Sequence, residues 1–242
     1  MHQNLLYMAE RLYTDADYIL EKLPLFIAQI PLLEQRAVCD AIEVYKFKKN
    51  DLIYVENTEV KDFMCLLEGK AKIYMKGVGG REQILRIVRS GDYFGYRPFF
   101  DGGKYVSRAT ASSDSIICFI PIAIMDELAN SNLRIANIVI RSLAHELGTA
   151  TERLVGLTQK HMRGRLADSL LMLAESFGKN ENGVTILDIR LSRQDIADLS
   201  NMTLSNAIRT LSDFIDEKII KIEKRIISIL DVEKLKKISE IG

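Results

Sequence analysis

The side chains that could do chemistry in this 242-residue chain are a few hydrogen-bonding groups near its C-terminal end. Arg209 carries a guanidinium that suits guanine or a phosphate, and Asn206 carries an amide that can pair with adenine. Ser205 and Ser212 add hydroxyls at helical spacing. The apolar residues expected to point inward are Leu204, Ala207, Ile208, Leu211, Phe214 and Ile215. This pattern predicts a helix whose polar face reads DNA bases.

A shorter helix is predicted directly before this one. Ser192 can cap its first turn, and Asp195, three residues later, favours the positive end of the helix dipole. Thr203 can cap the second helix in the same way. Asn201 lies where a sharp reversal needs a residue that tolerates positive φ, and Ala197 lets the helices cross closely. The pattern predicts a helix-turn-helix. The residues expected to contact DNA are Ser192, Arg193, Thr203, Leu204, Ser205, Asn206 and Arg209.

Two short apolar runs, residues 219–222 and 226–230, follow the second helix. They flank a charged turn, which is typical of a β-hairpin, and a hairpin in this place is a wing. A surface helical hairpin with a few polar side chains would explain the helices alone, but it would not explain the wing. We therefore predict a winged helix-turn-helix domain.

The middle of the chain, from about Ile42 to Pro121, alternates short apolar runs with turn residues. Turns such as Glu68-Gly69 and Ser90-Gly91-Asp92 recur at the spacing of an antiparallel barrel or a double-sheet roll. The predicted strands are 44–47, 52–55, 63–67, 70–75, 83–88 and 115–120. This part of the chain predicts a β-roll.

Between these two parts, apolar residues recur three and four positions apart from residue 133 to residue 157. The seam consists of Leu133, Ala136, Ile140, Leu143, Leu147, Ala150, Leu154 and Leu157. Such a seam must be buried, and a second copy of the same helix is the simplest partner, which predicts a parallel two-fold dimer. The alternative is a core helix that packs on its own roll. A second stripe, expected to meet that roll, consists of Ile135, Ile138, Val139 and Ser142.

Composition narrows the classes of protein that remain. The 33 basic and 33 acidic residues cancel, so attraction to phosphates would depend on local clusters. No apolar run approaches the roughly 18 residues of a membrane span and no secretory signal is evident, so we expect a cytoplasmic globular protein without a membrane partner. The chain offers no catalytic constellation, so we do not expect an enzyme. The basic candidates are Lys160, Arg163, Arg165, Arg193, Arg209, Lys221, Lys224 and Arg225.

The order of these parts resembles the Crp/Fnr family of bacterial transcription regulators across nearly the whole chain. The residues that carry the resemblance are Leu67–Ala71, Ser90–Gly95, Lys160–Ala167 and Leu191–Leu211. It implies an α+β fold with a cyclic-nucleotide-binding-like β-roll at 1–130, a dimerisation helix at 131–158 and a winged-helix DNA-binding domain at 159–242. It also implies a homodimer on a two-fold-related promoter site, with recognition helices roughly 34 Å apart, and it allows RNA polymerase as a further partner.

The implied effector site departs from the cyclic-nucleotide-binding members of that family. Those members hold the ribose with a glutamate and the cyclic phosphate with an arginine, and here Tyr96 and Val106 stand at these places. Each lost charge-assisted contact is typically worth about 1.5–3 kcal/mol, so we do not expect cyclic AMP to bind. Arg97 or Arg108 could offer a cation to another anion. The resemblance gives the effector residues as Gly95, Tyr96, Arg97, Val106, Ser107, Arg108, Ala150 and Thr151.

The DNA side departs as well. The arginine and glutamate that begin base readout in the cyclic-AMP-binding members correspond to Leu204 and Ser205, whereas the later arginine is kept as Arg209. Leu204 can offer only an apolar contact, for instance to a thymine methyl. We expect a different operator sequence.

Other sensor chemistries remain as alternatives. The absence of cysteine from residues 1–38 argues against an iron–sulfur cluster, and the three dispersed cysteines are expected to be buried reduced thiols. Haem stays open, with His2, His145, Met64, Met75, Cys39, Cys65 and Cys118 as candidate axial ligands. A cyclic-nucleotide-type module that acts through protein partners is a further alternative. The sequence leaves open the effector, the operator and whether the protein activates or represses.

Overall fold

The computed structural model describes residues 9–241, so the haem-ligand candidate His2 lies outside the described residues. The chain divides into two compact units. The N-terminal unit contains the residues up to Lys76 and Leu85–Glu146, and the C-terminal unit contains Gly77–Ile84 and the residues from Leu147 onward. This division runs through the predicted dimerisation helix instead of around it.

Two sheets form the β-roll. The larger sheet has the strand order β1 (Glu10–Leu12), β2 (Glu43–Phe47), β9 (Ser115–Pro121), β4 (Asp62–Glu68) and β7 (Tyr93–Phe94). The smaller has the order β3 (Leu52–Tyr54), β8 (Arg108–Ala111), β5 (Lys70–Lys76) and β6 (Glu82–Arg89). All six predicted strands are confirmed. The patterns missed β8 because its sequence, Arg-Ala-Thr-Ala, contains no large apolar residue, although Ala109 and Ala111 are fully buried.

The central strands of the larger sheet are buried on both faces, which is why their sequences are continuous apolar runs. Along β4, Phe63 and Cys65 belong to one core cluster, and Met64 and Leu66 belong to the other. The second cluster also contains residues of the smaller sheet, such as Ala109, so it fills the space between the sheets. The larger sheet therefore separates this inter-sheet core from the helix-covered core, which contains Phe63 and Cys65.

Helices supply the other side of the helix-covered core. They are α1 (Ala16–Lys22), α2 (Pro24–Ile27), α3 (Leu32–Ala41), α4 (Arg97–Phe100), α5 (Ile122–Ser131) and α6 (Leu133–Gln159). In α6, Ile135 and Val139 are buried in this core, with Ile138 packed against it. The predicted second stripe is therefore confirmed as the face that meets the roll. Helices α1 to α3 were not predicted, since residues 16–41 mix apolar and charged residues without a clean period.

The C-terminal unit is built from helices and one small sheet. The helices after α6 are α7 (Met162–Phe177), α8 (Arg193–Leu199), α9 (Leu204–Asp216) and α10 (Val232–Ile241). The sheet has the order β10 (Gly178–Glu181), β11 (Val184–Leu187), β13 (Ile226–Ile229) and β12 (Ile220–Glu223). The last two strands are the predicted wing. The first two were not predicted: β10 consists of exposed residues, and β11 is only four residues long.

Candidate nucleic-acid interface

The first helix of the predicted helix-turn-helix, α8, begins with a complete capping box. The Ser192 hydroxyl accepts a hydrogen bond from the Asp195 backbone N–H at 3.0 Å, and the Asp195 carboxylate accepts one from the Ser192 N–H at 3.0 Å. Two N–H groups that a helix start leaves unpaired are thereby satisfied. Ser192 is thus a structural cap, and any contact it makes with DNA comes in addition to that role.

The turn between α8 and α9 has the geometry that its sequence predicts. Asn201 lies in the left-handed region with φ of 50°, which asparagine tolerates better than most residues. The Met202 N–H donates to the Ala197 carbonyl at 2.9 Å, and Ala197 is fully buried. Thr203 caps α9 by accepting from the Asn206 N–H at 3.3 Å. These contacts fix the angle at which α9 leaves the turn.

Helix α9 buries a narrower stripe than the sequence indicated. Ala207, Leu211 and Phe214 are buried as predicted, together with Thr210. Leu204, Ile208 and Ile215 were expected to point inward and this was wrong, since they are 41%, 44% and 39% exposed. The four buried positions already fill the arc of the helix that meets the core, so the flanking apolar residues are left outside.

The exposed side of α9 brings polar and apolar groups together. We define the contact face as Leu204, Ser205, Ile208, Arg209 and Ser212, all of which are exposed. Asn206 is half-buried, and its side-chain oxygen accepts a hydrogen bond from the Arg209 guanidinium at 3.3 Å, which helps to orient Arg209. The predicted base-reading residues are therefore assembled on one surface of one helix, except that Asn206 is engaged with its neighbour.

Three of the eight predicted cationic residues hold the fold together. Lys160 bonds Asp168 at 2.8 Å, and Arg163 bonds Glu217 at 2.8 Å. The hydrogen bond from Arg163 holds the pKa of the Glu217 carboxyl below its usual value. Arg165 donates to the backbone carbonyl of Lys160, just before α7, and to that of Asn201, in the turn between α8 and α9. These three side chains are structural, which leaves fewer cations for phosphates than the sequence suggested. Lys221 also pairs, with Glu223 at 2.7 Å, whereas Arg193 is half-buried at the start of α8.

The wing places two cations at its tip in an unfavourable backbone conformation. Lys224 and Arg225 form the two-residue turn between β12 and β13, with φ of 47° and 70°. A turn with positive φ at both central residues favours Asn-Gly, since a Cβ is strained there. Both side chains are exposed. The wing tip therefore keeps its charge at some cost in stability.

An arginine that the sequence analysis did not single out supports α8. Arg153, on α6, donates to the Leu199 carbonyl and to the Ile84 carbonyl, each at 3.0 Å. Gln83 also donates to the Leu199 carbonyl, at 3.4 Å. Burial lowers the pKa of Arg153 from its usual value. Its position, seven residues after Glu146 and fourteen after Val139, continues the inward stripe of α6 and could have pointed to it.

The predicted effector position Tyr96 is filled by its own side chain. Tyr96 is 1% exposed, and its hydroxyl donates to Ser142 of α6 and, at 3.4 Å, to Glu146. Burial raises the pKa of Tyr96 to about 12, so it stays protonated as a donor. Arg86 completes the cluster by bonding Glu146 at 2.6 Å. Gly95, which precedes Tyr96, adopts φ of 80°, and a side chain there would collide with Met64.

The remaining effector candidates are not gathered around one free cation. Val106 and Arg97 are exposed, and Ser107 is buried with its hydroxyl 3.4 Å from that of Tyr54. Arg108 forms a two-pronged ion pair with Glu56, so it was wrong to expect a spare cation there. On α6, Ala150 and Thr151 are exposed, and the Thr151 hydroxyl donates to a carbonyl of its own helix.

Four leucine and isoleucine side chains of the predicted seam are exposed in the part of the chain that the structure describes. Leu133, Ile140, Leu147 and Leu154 are 60–82% exposed, and Ala150 is exposed as well. Ala136, Leu143 and Leu157 are half-buried, and Leu143 also packs against the helix-covered core of the roll. The seam is therefore an apolar ridge that runs along α6.

The candidate haem ligands lie in dissimilar places. Met64 is fully buried in the inter-sheet core, Met75 is 38% exposed and His145 is exposed. The cysteines Cys39, Cys65 and Cys118 are buried and free, as predicted. Among residues 9–241, no group of three or more His, Cys, Asp or Glu side chains could hold a metal ion. No helix in that range is long and apolar enough to cross a membrane.

Comparison with known proteins identifies both parts of the chain. Family models match at residues 44–132, as a cyclic nucleotide-binding domain, and at residues 164–238, as a Crp-like helix-turn-helix domain. The chain is 26% identical over 199 residues to a CRP-like cAMP-activated global transcriptional regulator of Mycobacterium tuberculosis, which covers 82% of this chain and 89% of that protein. It is 28% identical over 200 residues to electron transport regulator A of Shewanella oneidensis, which covers 81% of this chain and 78% of that protein.

Solved structures agree with this result. FixK2 from Bradyrhizobium japonicum superposes with a TM-score of 0.73 at 23% identity, covering 81% of this chain and 96% of that chain. A mutant of CooA from Carboxydothermus hydrogenoformans superposes with a TM-score of 0.73 at 21% identity, covering 95% of this chain and 98% of that chain. The predicted order of β-roll, long helix and helix-turn-helix is confirmed.

Proposed function

We propose that this chain, which belongs to the Crp/Fnr family of DNA-binding transcriptional regulators, acts as a homodimer on a two-fold-related operator. Each protomer inserts the contact face of α9 into a major groove and lays its wing tip on the adjacent backbone. The observation that carries the proposal is the exposed contact face, on which Ser205 and Arg209 stand clear of the core. RNA polymerase is a further partner in this proposal, carried by family membership alone.

The apolar ridge on α6 supports the dimer. Burying a leucine or isoleucine side chain contributes about 1.5–3 kcal/mol, and four such side chains recur at heptad spacing on one face. The opposite stripe of the helix is already occupied by the roll, as Ile135 and Val139 indicate. A second copy of α6 is the partner whose pattern of residues matches the ridge throughout.

For the effector, we infer that cyclic AMP is not the regulating ligand. The position that would carry a carboxylate for the ribose hydroxyl is Tyr96, a buried donor to Ser142. The position that would carry a guanidinium for the cyclic phosphate is Val106. Arg108, two residues after the second position, is held in an ion pair by Glu56.

The DNA part of the proposal predicts a large effect from one exposed side chain. Arg209→Ala should weaken binding to a selected operator by about 1–3 kcal/mol, roughly 5- to 150-fold, because a bidentate contact to guanine is lost. Fluorescence anisotropy at several salt concentrations measures this loss, and the affinity of the wild type should fall steeply as salt rises. Adding cyclic AMP should leave the curves unchanged.

The control for this measurement is Arg141→Ala, an exposed arginine on α6 outside the contact face. It should bind as the wild type does. Binding to protein alone, without salt-dependent binding to any DNA, would favour the alternative of a regulatory module with protein partners. A cyclic-AMP-induced gain in affinity would contradict the inference about the effector.

The wing tip gives a prediction in which stability and DNA affinity change in opposite directions. Replacing Lys224 with Asn and Arg225 with Gly relieves two strained φ angles and should raise the thermal midpoint. The same change removes two cations, so it should weaken DNA binding at low salt and make the slope of log K against log salt shallower by about 2. Unchanged DNA affinity with a raised midpoint would show that the wing tip does not touch phosphates.

A further inference from the structure

The contact face carries two apolar side chains where a groove-reading helix usually presents polar ones. Leu204 and Ile208 are 41% and 44% exposed and stand one helical turn apart, so their side chains are neighbours. Ser205 and Arg209 follow each of them directly in the sequence and are also exposed. The apolar pair is therefore continuous with the polar part of the DNA-binding surface.

The position of this pair on α9 places it at the base edges. In a helix-turn-helix, residues in the N-terminal part of the second helix reach into the major groove. Leu204 is the first residue of α9 and Ile208 is the fifth. Ile215, the third exposed apolar residue of the helix, stands nearly two turns further along, toward the C-terminal end.

Only one group on the edges of the base pairs suits such side chains. Most of the major-groove edge consists of hydrogen-bond donors and acceptors, which lose water without compensation when an aliphatic side chain covers them. The 5-methyl group of thymine is the apolar exception. On the basis of the proposed DNA-binding function, we propose that Leu204 and Ile208 form a two-residue clamp for thymine methyl groups and so determine operator specificity next to the base read by Arg209.

Replacement of thymine by deoxyuridine tests this proposal, because the change removes only the methyl group and keeps base pairing and the O4 acceptor. An operator is first selected from random oligonucleotides with the full chain, and each thymine is then replaced by deoxyuridine in both half-sites. We expect one or two symmetric positions at which binding falls about fourfold per methyl, or about 15-fold for the pair of half-sites.

Two variants assign the effect to a residue. At one of the sensitive positions, replacing thymine by deoxyuridine should no longer change the affinity of Ile208→Ala. The thermal midpoint of this variant should match that of the wild type because the side chain is exposed. Ile215→Ala makes the same chemical change at a similarly exposed site and should keep the full sensitivity.

The outcomes separate the clamp from the function on which it rests. Specific, Arg209-dependent binding that is insensitive to deoxyuridine at every position would overturn the clamp and leave the proposed function intact. Leu204→Ala should lose the sensitivity at the other position, and full sensitivity to deoxyuridine in both Ile208→Ala and Leu204→Ala would overturn the clamp too. If the wild type selects no operator at all, the proposed function itself fails, and the clamp fails with it.

Discussion

A chain with Ile140→Glu and Leu147→Glu should sediment as a monomer and bind its operator at least about 100-fold more weakly than the wild type. Both side chains belong to the exposed ridge of α6. In a two-fold dimer each substitution places two carboxylates against each other in an apolar seam, where an uncompensated charge is costly. Loss of the dimer also ends the simultaneous binding of two half-sites, which typically raises affinity by about 10² to 10⁴.

The matched control places the same acidic residue on another face of the helix. Arg141 is exposed and lies six residues before Leu147, about a third of a turn round the helix axis. Arg141→Glu should remain dimeric in analytical ultracentrifugation. A double variant that stays dimeric, with operator affinity like that of the wild type, would show that the ridge is not the interface.

The second large effect is expected from Arg153→Met, which should lower the free energy of unfolding of the C-terminal unit by about 2–4 kcal/mol. A hydrogen bond from a charged donor contributes about 1.5–3 kcal/mol, and Arg153 donates to two backbone carbonyls. One of them belongs to Leu199, the last residue of the seven-residue helix α8. The positive charge of Arg153 also interacts favourably with the negative end of that helix's dipole. So short a helix depends on its tertiary contacts.

Hydrogen exchange measured by mass spectrometry, together with thermal unfolding at a fixed protein concentration, tests this expectation. Exchange in residues 77–84 and 193–199 should accelerate in Arg153→Met, and Arg153→Lys should give an intermediate result because it keeps the charge but not the planar fork. Glu152→Ala, at an exposed neighbouring position, should behave as the wild type does. Unaltered exchange in α8 would contradict a supporting role for Arg153.

The elements that could be predicted are those whose local signals agree with their tertiary role. The capping box at Ser192, the positive φ at Asn201 and the turn after it depend on neighbours a few residues away, so the helix-turn-helix was evident from the sequence. The heptad seam was evident for the same reason. Strand β10 escaped because it consists of exposed Gly, Lys, Asn and Glu, and helices α1 to α3 escaped because their apolar residues show no sustained period.

The errors in the candidate site arise from contacts between distant parts of the chain. The sequence cannot show that Glu56 binds Arg108 or that Glu217 binds Arg163, so these cations were counted as available for anions. Periodicity placed Ile208 in the core because it identifies apolar residues and does not measure the width of the arc that the core covers. The exposure of Ile208 is visible only when Ala207, Thr210, Leu211 and Phe214 are seen to fill that arc.

The buried phenol of Tyr96 has a consequence for how sensitively the protein can respond. Any molecule that occupies this position must compete with a ring that belongs to the receptor and is tied to Ser142 and Glu146. The apparent dissociation constant of such a molecule is its intrinsic dissociation constant divided by the fraction of protein molecules in which the ring has swung away. A ligand for this position would therefore need a higher concentration to act than one that enters an open site.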